Sequence, residues 1–96
     1  MFKLNGKEYK DIELTFNAVC KLEKRGFDIS KLADGSNSLS FIRAIISLAL
    51  NDNEELAGIE IEDHLKNGGT VEEIGEIVTK SVQDSGFFQA LAKTQN

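Results

Sequence analysis

The stretch Leu39–Leu50, LSFIRAIISLAL, constrains the fold more than any other part of the chain. Ser40, Arg43 and Ser47 are its only polar residues. Apolar residues fall on every face at the 3.6-residue period, which predicts a helix surrounded by other helices. Spanning a bilayer takes roughly 20 apolar residues, and this run is well short of that. It reads as the central helix of a small bundle on which the rest of the chain packs. The 96 residues suit one domain, residues 1–96. A chain of that size buries roughly 60–70% of its extended surface, enough for one modest core.

The N-terminal segment predicts a β-hairpin over residues 2–14. Asn5-Gly6 is the favoured pair for a type I′ turn, because both central positions need φ > 0. That turn sets Leu4 opposite Lys7, Lys3 opposite Glu8 and Phe2 opposite Tyr9. The apolar parity then switches to Ile12 and Leu14, which predicts an irregularity such as a bulge near Lys10-Asp11. A lone hairpin is marginal in water, so this one must lean on helices.

Helices are predicted over 16–25, 29–33, 39–50, 56–67, 71–85 and 87–92. Thr15 suits the N-cap of the first, with Phe16, Val19 and Cys20 as its apolar ridge. Gly26 and Phe27 suit a Schellman ending folded back on Leu22. Asp28 and Ser38 are placed to cap the next two helices. Asn51-Asp52-Asn53 stops the central helix. Over 56–67, Ala57, Ile61 and Leu65 recur at four-residue spacing, and Glu62–Lys66 is an i,i+4 pair. The run Gly58-Ile59-Glu60-Ile61-Glu62 alternates like a strand, but helix is the stronger reading. Thr70-Val71-Glu72-Glu73 is a capping box opening a helix whose buried stripe is Val71, Ile74, Val78 and Val82. Gly86 breaks or bends the chain before a last short helix, and Lys93 to Asn96 fray. The expected fold class is α+β and mostly helical: an N-terminal hairpin on four to five helices around the central one.

Net charge is −5. An acidic chain lacks the basic surface that sequence-independent nucleic-acid binding needs. It is equally unsuited to an anionic membrane. Cys20 is the only cysteine, so no internal disulfide exists, which suits a reducing cytosol. The first ten residues lack the apolar core and small-residue cleavage site of a signal peptide.

No catalytic, metal or cofactor constellation is legible. His64 is the only histidine, and Glu60 four residues before it does not complete a ligand set. It reads as a half-exposed histidine at the edge of an apolar stripe. Cys20 reads as a buried, inert thiol. Gly68-Gly69 precedes a helix but carries no phosphate-loop pattern, and Glu72 and Glu73 repel anions. Lys21, Lys24, Arg25 and Lys31 read as a helix C-terminus, or as a patch for an acidic partner. Four residues are candidates for partner binding: Arg43, Phe87, Phe88 and Leu91. Arg43 either pairs with a neighbouring acid or anchors a partner. Phe87 and Phe88 cannot face the same way on one helix. Either both serve the core, or one anchors a partner.

FKLNGKEYKDIELTFNAVCKLEKRGFDIS resembles the tail assembly chaperones of long-tailed bacteriophages and prophages. The Asn-Gly hairpin and Leu14-Thr15-Phe16-Asn17-Ala18-Val19 carry the resemblance. So do Leu22-Glu23, Gly26 and Ile29-Ser30-x-Leu32. It covers about the first 35 residues. It implies a non-catalytic protein of the host cytoplasm that binds the helical tape measure protein and keeps it soluble. Such proteins bring tail tube protein to it and leave before the virion is mature. Many are also made in a frameshift-extended form. No residue-level binding motif comes with the family. A monomer or weak self-association is expected. The runner-up readings are another small phage component, such as a connector or tail completion protein, and a generic protein-interaction domain.

Overall fold

Asn5 and Gly6 take φ values of 54° and 74°, the left-handed region that a type I′ turn requires. They join β1, Phe2–Leu4, to β2, Lys7–Tyr9, as an antiparallel pair. The register is Phe2 with Tyr9, Lys3 with Glu8 and Leu4 with Lys7. Phe2 and Tyr9 stack with ring centroids 5.5 Å apart. The hairpin opens a computed structural model that describes residues 1–28 and 39–94, with side chains to Ala90. Five helices follow among the described residues: α1 Phe16–Lys24, α2 Leu39–Ser47, α3 Glu54–Lys66, α4 Val71–Gln83 and α5 Gly86–Thr94. The fold is therefore mostly helical with one two-stranded hairpin. No described helix is long and apolar enough to cross a membrane. The helix expected over 29–33 and the Ser38 cap lie outside the described residues.

The core forms around α2. Phe41, Ala44, Ile45 and Ile46 are fully or almost fully buried there, with Leu4, Leu14, Val19, Leu22, Ala57, Ile74, Val78 and Phe88 closing over them. A buried side chain of the larger kinds contributes roughly 1.5–3 kcal/mol by leaving water.

The hairpin is shorter than the expected 2–14, because pairing ends at Tyr9. The parity change is resolved by leaving the ladder rather than by a bulge within it. Ile12 and Leu14 then bury from an extended segment. The Ser85 hydroxyl holds that segment by donating to the Leu14 carbonyl at 2.8 Å.

In α1, the Thr15 hydroxyl accepts from the Ala18 N–H at 3.2 Å. The far end is a Schellman motif, with Gly26 at φ 97°, its N–H 3.0 Å from the Glu23 carbonyl and the Phe27 N–H 3.2 Å from the Leu22 carbonyl. Only Val19 and Leu22 of α1 are buried. Phe16, expected on the buried ridge, is 65% exposed and meets Phe87 edge-on at 5.6 Å. Cys20 is half-buried rather than buried, since it lies about 100° round the helix from Val19.

Two expectations for α2 are corrected. It ends at Ser47, not Leu50. Leu48, Ala49 and Leu50 donate to carbonyls three residues back at 3.1, 3.0 and 2.9 Å, a tightened last turn. Asn51 and Asp52, at φ 57° and 62°, then turn the chain. Nor is α2 enclosed on every side: Leu39 is 80% exposed, and Ile42 and Arg43 share its open face.

The later boundaries shift for reasons of capping. Asn53 starts α3 at Glu54, accepting from the Leu56 N–H at 3.0 Å. The Thr70–Glu73 capping box forms in both directions, at 3.2 Å and 2.8 Å. Ile74, Val78 and Ser81 are the buried side of α4, whereas Val71 is 61% exposed. Ser85 caps α5 through the Phe88 N–H at 3.3 Å. Gly86 is therefore the first residue of α5 instead of a break, and the helix continues through Lys93 and Thr94.

Candidate partner-binding groove

The open face of α2 is one wall of a groove of about 330 Å³. Leu39, Ser40, Ile42 and Arg43 line it from α2. Gly58, Ile61, Glu62 and Leu65 line it from α3, and Val71 and Ile74 from α4. The α3 set is spaced i, i+3, i+4, i+7, one helical face. Ala57 and Glu60 point elsewhere, into the molecule, and are buried. Each of these helices thus has two working sides, one toward the core and one toward the groove.

Gly58 shapes the groove. A Cβ there would come within 3.4 Å of the Arg43 Cδ, ordinary contact, so the glycine leaves room without being required by its backbone. Leu39, Val71 and Leu65 remain 80%, 61% and 37% exposed around it. Exposed apolar surface that is contiguous and concave marks interaction sites.

Arg43 is exposed and makes no hydrogen bond or ion pair with another described residue. Glu62, on the opposite wall, has a partner in Lys66 at 3.5 Å. Of the four candidates from sequence, only Arg43 lines the groove among the described residues. Phe88 is buried in the core. Phe87 is half-buried, edge-on to Phe88 at 5.3 Å and to Phe16 at 5.6 Å. The Leu91 side chain lies outside the described residues.

A polar clasp on another side of α3 fastens the hairpin turn. The Asn5 N–H donates to His64 Nδ1 at 2.9 Å. Asn5 Nδ2 donates to Glu60 Oε2 at 3.2 Å, and Lys7 Nζ to Glu60 Oε1 at 3.0 Å. Asn67 Nδ2 donates back to Asn5 Oδ1 at 3.1 Å. The Lys7 and Asn5 bonds hold the Glu60 carboxyl below the usual glutamate range. The Glu60 bond in turn raises Lys7. Burial, then the Glu60 charge, pushes the Tyr9 phenol up. Because Nδ1 accepts, the imidazole proton lies on Nε2, which is buried, lacks a hydrogen-bond partner among the described residues and sits 3.6 Å from Glu73 Oε1. The Thr70 N–H holds the Glu73 carboxyl below its usual range.

His64 is thus more buried than a half-exposed residue, and Glu60 and His64 do share a face. Their inward atoms bind the hairpin, and no group of three His, Cys, Asp or Glu among the described residues is arranged to hold a metal ion. The basic end of α1 is likewise tied down: Lys21 pairs with Asp52 at 3.1 Å and Arg25 with Glu54 at 3.4 Å.

Sequence reasoning missed Leu39, Ile42, Ile61, Leu65 and Val71 as groove residues by assigning them to the core. The available signal was the second stripe on α3, with a glycine at its start. Comparison with protein families, curated proteins and solved structures finds no match for this chain.

Proposed function

We propose that this protein is a non-catalytic tail assembly chaperone of a long-tailed phage or prophage. It binds amphipathic helical segments of the tape measure protein in the α2–α3–α4 groove and keeps that protein soluble. It assists assembly of the tail tube in the host cytoplasm and is left out of the virion. The open apolar groove carries the helix-binding part of this reading. A long amphipathic helix needs its apolar stripe covered until it is assembled, and a groove between two helices is a common way to cover one. The sequence resemblance of the N-terminal third supplies the choice of partner. The net charge of −5 keeps such a carrier dispersed.

The test is co-expression with the long helical protein encoded nearest to this chain. The soluble fraction of that protein rises when this chain is present, and purified particles lack this chain. A tape measure protein that stays insoluble contradicts the chaperone role. Recovery of the chain in purified particles favours a structural component instead.

A further inference from the structure

We infer that the groove selects its occupant by charge: it takes an amphipathic helix that carries an acidic side chain beside its apolar stripe, and Arg43 reads that acid. The inference rests on the proposed helix-binding role and names the chemistry of the helix.

Three observations carry it. The groove wall on α3 runs from Gly58 to Leu65. At 1.5 Å per residue that is about 10 Å, two turns of a docked helix. Arg43 stands on the facing wall with no hydrogen-bond or ion-pair partner among the described residues. The acid across from it, Glu62, is already paired with Lys66 at 3.5 Å. Among the described residues, Arg43 is therefore the charge in the groove wall that an arriving helix meets without a partner.

Docking takes water away from the Arg43 guanidinium. A helix with a carboxylate at that position replaces the lost water with a planar, two-bond contact. A helix with an apolar or basic residue there leaves a desolvated cation unpaired, which is unfavourable. Rejection of the wrong helix thus contributes as much as attraction to the right one. A second copy of this chain is the less suited occupant, since each copy carries −5 and the two repel.

The experiment uses two amphipathic helical peptides that differ at one residue beside the apolar stripe, glutamate in one and lysine in the other. Binding is read by fluorescence anisotropy at low salt. The wild-type protein binds the glutamate peptide about tenfold more tightly than the lysine peptide. Arg43→Glu reverses the order, Arg43→Gln removes the preference, and Gly58→Leu, which fills the groove, weakens both. Circular dichroism confirms that each variant is folded. Equal binding of the two peptides, binding of neither, or no reversal in Arg43→Glu overturns the inference. So does a wild-type dimer that Gly58→Leu dissociates, because the occupant is then a second copy. The tape measure result is independent. Charge selection without tape measure solubilisation defeats the chaperone reading alone, and solubilisation without charge selection defeats this inference alone.

Discussion

Glu60 holds both the Lys7 ammonium and the Asn5 amide, and so fastens the hairpin to α3. Its carboxyl sits below the usual glutamate range in the folded protein. The linked stability is therefore complete above the ordinary glutamate value and is lost as pH falls through the lowered one. Glu60→Gln keeps the size but loses the charge, and is expected to cost about 1–2 kcal/mol at neutral pH. Urea unfolding at a series of pH values checks this: the gap between wild type and variant closes as pH falls through the lowered Glu60 value. A gap that persists unchanged in acid contradicts the assignment. Glu60 was not legible as a fastening residue in the sequence. In sequence it stood out only as an acid four residues before His64 that completes no ligand set, and its partners lie more than fifty positions away in the hairpin. Arg43 was legible as an isolated cation on an apolar helix, because that contrast is local. Its lack of a partner among the described residues depends on what packs nearby and is not.

At the scale of the element, caps were the most legible features, since each involves residues three or four apart. The Asn5-Gly6 turn, the Thr15 cap, the Gly26 ending and the Thr70–Glu73 box all occur as their residues suggest. Thr70→Ala removes one side of the box and is expected to cost about 1 kcal/mol. For a domain of this size that lowers the melting temperature by roughly 4–8 °C. Gly69→Ala should do more harm. Gly69 carries no backbone demand for positive φ, but a Cβ there collides with the His64 ring and crowds its carbonyl. That ring holds the hairpin through Asn5. Calorimetry is expected to show a larger fall for Gly69→Ala than for Thr70→Ala; a smaller fall contradicts the packing assigned to His64. Helix ends set by tertiary contacts were less legible. Ser85 serves as cap for α5 and as donor to Leu14, a contact across the whole fold, so the boundary between α4 and α5 did not follow from the local pattern.

For the whole molecule, periodicity gave the right kind of fold and misplaced part of its inside. An apolar residue at helical spacing says that a face is apolar, not whether this chain or another covers it. Leu39, Ile61, Leu65 and Val71 are therefore indistinguishable in sequence from core residues, although they line an open groove. The choice between core and docking surface appears only once the helices are assembled.

Gly58 separates stability from binding and gives the most direct test. It lies within a helix and its added Cβ meets only ordinary contact, so replacing it with leucine removes a helix-weakening glycine while filling the groove. The measurement is the soluble yield of the proposed partner, the tape measure protein, co-expressed with wild type or with Gly58→Leu, alongside the melting temperature of each purified variant. The account predicts a variant at least as stable as wild type that no longer keeps the tape measure protein in solution. A stable Gly58→Leu protein that solubilises it as well as wild type would place the binding surface elsewhere and contradict the central claim.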